Sequence, residues 1–205
     1  MARQAAIIAA LCLTAALGAC GDDDGGGEAG GEDDRTDQAE PGTTEQRDLR
    51  RELLDMMEAD QAERSGESTA NNDEPRAARL REIIDEHGWP TFDLVGRDGA
   101  TAAWLTAQHA DFDVAFQTEA LELMRAALEA DQADPTEVAY LEDRVAVNRG
   151  EPQRYGTQVR CREGRPDPAT PLADPAAVEA LRAEVGLEPL AEYYEQFAQG
   201  CAAEG

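Results

Sequence analysis

The 205-residue chain carries 44 acidic residues against 18 basic ones, which gives a formal net charge of −26 at pH 7. All of the basic residues are arginine. This balance excludes nucleic acid as a partner, because phosphate binding depends on a basic surface, and it predicts no basic patch for anionic lipid.

The chain begins with the pattern of a bacterial lipoprotein signal peptide. Arg3 precedes an apolar run over residues 5–17, which is too short to span a membrane. Leu17, Gly18, Ala19 and Cys20 then read as a lipobox, in which the Cys is acylated with chains such as palmitate and becomes the first mature residue. We predict a signal peptide over residues 1–19 and attachment to the cell membrane on its extracytoplasmic side. The alternative is an ordinary secreted protein in which Cys20 is coincidental.

Residues 20–48 are acidic and rich in glycine, with eleven acidic residues between positions 21 and 48. The stretch contains no Leu, Ile, Val or aromatic residue. Because it cannot bury enough apolar surface to offset its ordering entropy, we predict a disordered linker that holds the rest of the chain away from the bilayer. An acidic tail that binds calcium or a basic partner is the alternative.

The remaining residues predict one mostly helical domain over 49–199, followed by a short C-terminal tail over 200–205. Apolar residues recur at helical spacing near residues 49–57, 80–87, 98–109 and 116–128. Asp134 and Pro135 open a further helix, Asp174 and Pro175 open another that ends near Gly186, and a short one follows over 190–197. The fold class is therefore mainly α.

One segment departs from the helical period. Between residues 153 and 161, Tyr155, Thr157 and Val159 alternate with polar side chains, and a Gly- and Pro-rich turn follows. This pattern predicts a single small β-hairpin in an otherwise helical domain. Cys161 and Cys201 are the two cysteines left in the folded part of the mature chain, so in an oxidising compartment they are disulfide candidates, although spacing alone leaves the pairing open.

Four short motifs occur in order along the domain: GWP at 88–90, QHAD at 108–111, DRV at 143–145 and YGTQ at 155–158. Together they make residues 49–197 look like an uncharacterised bacterial family of domains of unknown function. The resemblance implies a domain boundary and no activity.

The same motifs supply a candidate polar pocket. Aromatic stacking faces, paired amide donors and acceptors and a planar guanidinium suit a sugar, a peptide or another amide-rich ligand. The candidate pocket residues are Trp89, Gln108, His109, Arg144, Tyr155 and Gln158. In the alternative interpretation, these groups cap helix ends and tie the hairpin to the helices through buried hydrogen bonds.

Enzymatic and metal chemistry are the other hypotheses. His109 could act as a proton acceptor oriented by Asp113 or Asp143, in a hydrolase that acts on cell-envelope material. A metal site is not predicted, because His87 and His109 lie 22 positions apart and the HADFD segment lacks the Gly and distal Glu of an EF-hand loop. No cofactor is predicted. The sequence thus favours a membrane-anchored binding or interaction module of the cell envelope, with a hydrolase as the alternative.

Overall fold

The computed structural model describes residues 42–204, so the predicted signal peptide, Cys20 and most of the predicted linker lie outside the described residues. The fold is mainly α with one antiparallel hairpin, which confirms the predicted fold class. The first five helices are α1 Thr44–Arg64, α2 Asp73–His87, α3 Phe92–Gln108, α4 Val114–Glu129 and α5 Pro135–Arg149. They are followed by β1 Val159–Arg162, β2 Arg165–Pro168, α6 Val178–Glu184, α7 Leu190–Glu195 and α8 Ala198–Glu204.

Helix α1 begins before the first apolar residue of its stripe. The Thr43 hydroxyl accepts from the Gln46 backbone N–H at 3.1 Å, and the Gln46 side chain accepts from the Thr43 N–H at 2.9 Å. This reciprocal capping box satisfies two N–H groups at the helix start. Leu49 and Leu53 then bury their side chains against α3, along which α1 packs most extensively.

Helix α3 is broken near its start by Gly96, whose φ of 74° lies in the left-handed region that glycine adopts without strain. The regular part of the helix therefore begins beyond Gly96, next to the predicted start near Asp98. The Asp98 carboxylate accepts from the Gly99 N–H at 2.8 Å and from Arg50 of α1 at 2.6 Å. The kink and the ion pair fix α3 against α1.

Helix α5 begins at the cap that the sequence indicates, and helix α4 begins at a cap, Asp113, that was not predicted from the sequence. Asp113 accepts from the Phe116 N–H and Asp134 accepts from the Thr136 N–H, and α5 ends at Gly150 in the left-handed conformation. The apolar stripe of α4 lies in the core, whose largest fully buried apolar members include Phe116, Met124 and Leu141. This core positions α3 and α5 side by side.

The hairpin begins later than the alternation indicates. Residues 153–158 form no ladder in β1 or β2, and β1 starts at Val159. The reason is that several N–H groups in this segment donate to the Asp143 side chain instead of to a neighbouring strand. Glu163 and Gly164 form the two-residue turn, both with positive φ, as hairpin turns of the primed types require.

The C-terminal residues fold against the hairpin. Residues 200–204, predicted as a tail, belong to helix α8, and a disulfide joins Cys161 of β1 to Cys201, with a Cα–Cα distance of 5.1 Å. Cys201 is 2% exposed. Across residues 42–204, no helix is long and apolar enough to cross a membrane.

Candidate functional site

Two residues of the predicted pocket, Arg144 and Gln158, meet in one buried network. Arg144 on α5 donates through Nε and Nη2 to the two carboxylate oxygens of Asp111, at 2.7 and 2.6 Å. Its Nη1 donates to Gln158 Oε1 at 3.0 Å. The planar guanidinium therefore binds a carboxylate in the two-pronged geometry expected for a ligand, but the carboxylate belongs to the protein itself.

The same network forms hydrogen bonds to the C-terminal end of α3. Asn148 donates to Asp111 at 2.9 Å and to Gln117 Oε1 at 2.8 Å, while Gln117 Nε2 donates to the backbone carbonyls of Ala107 and Gln108. Those carbonyls belong to the last turn of α3, where the regular helical hydrogen bonds end, and the Ala107 carbonyl also accepts from the Ala110 N–H at 3.2 Å. Sequence reasoning missed Gln117 and Asn148, because a polar residue within an amphipathic helix gives no signal of its partner.

Asp143 holds the segment between α5 and the hairpin. Its carboxylate accepts from the backbone N–H groups of Arg154 at 2.7 Å, Tyr155 at 3.1 Å and Thr157 at 2.8 Å, and from the Thr157 hydroxyl at 3.0 Å. Burial raises the pKa of Asp143, and the N–H donors oppose that rise. The carboxylate lies fully inside the protein and serves as an anchor for backbone.

Arg182 holds the same segment from the opposite side. Its side chain is 0% exposed and donates to the carbonyl of Tyr155 at 2.9 Å and to that of Glu188 at 2.7 Å. Its guanidinium also lies 5.0 Å from the ring centroid of Tyr193, whose hydroxyl donates to the Thr157 carbonyl at 2.8 Å. Asp143, Arg182 and Tyr193 therefore fix the backbone of residues 153–158, and we call this arrangement the 153–158 clasp.

Gln153 completes the clasp. Its amide accepts from the Gln158 N–H at 2.8 Å and donates to the carbonyls of Gln158 at 3.0 Å and Thr170 at 3.1 Å. Gly156 lies where a Cβ atom would come within 2.9 Å of both the Leu172 and the Leu190 side chains. The YGTQ motif is thus explained by packing and by internal hydrogen bonds.

His109 lies in a second buried polar cluster, on the side of α3 that faces α1. Its Nδ1 is 2.9 Å from Asp60 Oδ1 and 2.9 Å from Arg64 Nε. Arg64 Nε also reaches both Asp60 oxygens within 3.2 Å, so Asp60 accepts from Arg64 and lies within hydrogen-bond distance of His109 Nδ1.

Asp60 is held ionised in this cluster. Burial alone would raise its pKa, but the hydrogen bonds and charges of His109 and Arg64 outweigh burial and lower the pKa to about 2. Arg76 lies 3.4 Å away and also contacts Glu63 and Asp73, so the carboxylate sits among cations. The arrangement resembles the acid–histidine pair that orients a general base.

The partner of His109 differs from both sequence candidates. Asp113 was expected one helical turn beyond His109, but α3 ends at Gln108 and the chain turns before Asp113 caps α4. Asp113 instead pairs with Arg81 at 2.6 Å. Asp143 is occupied in the 153–158 clasp. Asp60 was missed because it lies 49 positions away, on a different helix.

The six predicted pocket residues do not share one accessible surface. Each is buried, with no more than 7% exposed, and Trp89 lies in the hydrophobic core. Their hydrogen bonds divide them between the Arg144 network, the 153–158 clasp and the Asp60 cluster. One polar atom of this set, Gln108 Oε1, is buried without a partner, as is Trp104 Nε1 one turn earlier on α3. This geometry favours the alternative interpretation, in which the motifs stabilise the fold.

A half-buried carboxyl group lies between α3 and α5. Glu137 accepts from the Thr101 hydroxyl at 2.6 Å. Burial raises the pKa of Glu137 to about 7, the hydrogen bond from Thr101 opposes the rise, and the nearby charge of Asp134 adds to it. Glu137 is therefore a carboxyl group whose pKa lies near neutral pH, and it forms no ion pair with another residue of the described range 42–204.

The described residues also form a cavity of about 200 Å³ between β1 and the C-terminal helices. It is lined by Val159, Arg160, Cys161, Gln196, Phe197, Gly200 and Cys201. None of the predicted pocket residues contributes to it. Over residues 42–204, no group of three or more His, Cys, Asp or Glu side chains is placed to hold a metal ion.

Comparisons with known proteins place the domain in a family without giving it an activity. Neither curated proteins nor solved structures give a match. Residues 47–201 match the model of a family of unknown function, DUF6624, and this match extends two residues beyond each end of the predicted domain at 49–199. Because the match covers most of the chain, the protein belongs to the DUF6624 family.

Proposed function

We propose that this protein is an extracytoplasmic lipoprotein, anchored to the cell membrane by acyl chains on Cys20, whose helical domain is an interaction module for cell-envelope components. The observation that carries the proposal is the Cys161–Cys201 disulfide. Structural disulfides persist in oxidising compartments and are rare in the cytosol. The disulfide therefore supports export independently of the lipobox at Leu17–Cys20.

Burial of the motif residues supports interaction rather than catalysis. A catalytic or small-molecule site exposes convergent polar groups in a concave pocket. In this domain the guanidinium of Arg144 and the carboxylate of Asp143 are both committed to internal partners. A partner would therefore bind the outer surface of the domain, because contacts with another macromolecule do not require a preformed pocket.

Metabolic labelling with an alkyne-bearing palmitate analogue tests the anchor. We expect the wild-type protein to incorporate label and to partition into detergent, and the Cys20→Ala variant to lose both properties. Cys12→Ala is the matched control, because Cys12 lies in the predicted signal peptide and its loss leaves labelling unchanged. Label that persists in Cys20→Ala would contradict the proposed anchor.

A hydrolase is a second candidate, and the Asp60–His109 pair is the observation that favours it. Because Nδ1 faces Asp60 at 2.9 Å, Nε2 is the ring nitrogen that would exchange a proton with water or a hydroxyl group. Turnover of purified cell-wall fragments should then be lost in His109→Asn and kept in His87→Asn. Equal activity of both variants would reject this candidate.

A further inference from the structure

The disulfide borders the cavity beside β1. Cys161 and Cys201 both contribute to the cavity lining, together with Val159. Val159 and Cys161 are half-buried, whereas the arginines that alternate with them along β1 are exposed, so the cavity lies on the inner face of the hairpin. The two bonded cysteines therefore face an open space instead of being packed on all sides.

The cavity has room for a small thiol. Its volume is about 200 Å³. An apolar cavity of about 150 Å³ admits benzene, which is a larger molecule than β-mercaptoethanol. A low-molecular-weight thiol can therefore reach the disulfide through the cavity while the domain stays folded.

Helix α8 depends on the disulfide for its attachment. Within residues 198–203, Cys201 is the one buried residue and the others are exposed. No side chain of this range makes a hydrogen bond or ion pair with another described residue. Ala, Gln and Gly bury little apolar surface, and a helix of 7 residues is too short to be stable alone. Loss of the disulfide should therefore free α8 from the hairpin.

We propose that this cavity is a site of thiol–disulfide exchange, at which a small thiol breaks the Cys161–Cys201 bond and releases α8. The thiolate attacks Cys161 Sγ, because Cys161 is half-buried and Cys201 is 2% exposed. A bond forms between the thiol sulfur and Cys161 Sγ, and the electron pair of the broken bond leaves on Cys201 Sγ, which takes a proton from water. A second thiolate then attacks the thiol sulfur of this mixed disulfide and frees Cys161. Two small thiols are thereby oxidised to a disulfide, and the two protein cysteines are reduced.

Exchange changes the surface that the domain presents. Release of α8 removes the part of the cavity wall that Gly200 and Cys201 form. The remaining wall, which includes the half-buried residues Val159 and Phe197, is then uncovered. The reduced domain therefore exposes apolar groups that the oxidised domain covers. Exchange requires neither lipid on Cys20 nor a protein partner, so its test is independent of the function proposed above.

The rate of reduction by β-mercaptoethanol tests the proposal on the full-length protein in mild detergent. Alkylation with iodoacetamide at timed intervals, followed by mass spectrometry of the peptides that contain Cys161 and Cys201, measures this rate. The reference is the same protein unfolded in urea. A disulfide that reacts only after global unfolding would be reduced about 10³-fold more slowly in the native protein, because the unfolded fraction is about 10⁻³ or less. We expect a native rate within about a hundredfold of the reference, because the cavity gives direct access.

Variants separate access through the cavity from access by unfolding. Leu53→Ala weakens the hydrophobic core on α1, away from the hairpin, and raises the unfolded fraction about thirtyfold or more. We expect this variant to leave the reduction rate of the native protein unchanged. Val159→Phe adds a ring to the cavity wall and should slow reduction about tenfold, whereas Val159→Ala widens the cavity and should not slow it. Circular dichroism checks that each variant is folded.

Alkylation after reduction tests the release of α8. In the reduced, folded protein, Cys201 should react with iodoacetamide as fast as it does in urea, whereas a docked α8 would protect a thiol that is 2% exposed. Four results would overturn the proposal: native reduction about 10³-fold slower than the reference, about thirtyfold acceleration by Leu53→Ala, no slowing by Val159→Phe, or protection of Cys201 after reduction.

Discussion

Replacement of Asp143 by Asn changes the atoms of the 153–158 clasp with almost no change in volume. Four groups donate to the carboxylate: the Arg154 and Tyr155 N–H groups at one oxygen, and the Thr157 N–H and hydroxyl at the other, which the Tyr155 N–H also reaches at 3.2 Å. An Asn side chain offers one oxygen, and its NH₂ group then faces the Thr157 N–H, which is a donor, and the Thr157 hydroxyl, which can turn to accept. One of these bonds is therefore replaced by a donor–donor contact.

The size of the effect follows from that one lost bond. Leaving a buried donor without a partner costs about 1–3 kcal/mol, so Asp143→Asn should lower the free energy of unfolding by about 1–3 kcal/mol. Each kcal/mol shifts the melting temperature of a domain of this size by about 2–4 °C. We therefore expect a melting temperature lower by about 5 °C, and the loss of free energy is a substantial part of a total stability of about 5–15 kcal/mol.

Urea unfolding followed by circular dichroism measures this change. Asp55→Asn is the matched control, because Asp55 is exposed on α1 and exposed substitutions change stability by about 0.5 kcal/mol or less. A loss below about 1 kcal/mol in Asp143→Asn would refute the reasoning, since the hydrogen bonds to Asp143 would then contribute little to the fold.

Three further measurements address the other buried groups. The folded-state pKa of Glu137 lies above its ordinary value, so the folded protein holds the proton more tightly than the unfolded chain does. The free energy of unfolding should therefore fall by about 2 kcal/mol as pH rises from 5 to 8. Glu137→Gln should remove this pH dependence in unfolding curves. The pKa of Asp60 is lowered to about 2 in the folded protein. Its contribution of about 2 kcal/mol to the free energy of unfolding is therefore present above pH 4 and lost as pH falls towards 2. Asp60→Asn should abolish this pH dependence in acid unfolding. Cys201→Ser should lower the free energy of unfolding in urea by about 4 kcal/mol, because the disulfide closes a loop with a sequence separation of 40. Adding Cys161→Ser should lower it little further.

Helix positions were predictable from the sequence because their signals are local. Asp134 caps α5 through its own neighbours, so the residue types and spacing of Asp134 and Pro135 were sufficient. The start of the hairpin was not predictable in this way. Residues 153–158 alternate as a strand does, but Asp143 takes their N–H groups, and that contact depends on how α5 packs.

Long-range partners account for most of what the sequence did not reveal about the site. His109 pairs with Asp60 across 49 positions, and Arg144 pairs with Asp111 across 33 positions. No local period indicates such pairs.

The central claim is that a folded interaction domain is held outside the cytoplasm by lipid on Cys20. Intact-mass and N-terminal peptide mass spectrometry of the protein purified from membranes tests this claim most directly. We predict a mature chain that begins at Cys20, carries diacylglycerol on that thiol and contains the Cys161–Cys201 disulfide. A mature chain that begins at any other residue, or an unmodified Cys20, would contradict the account.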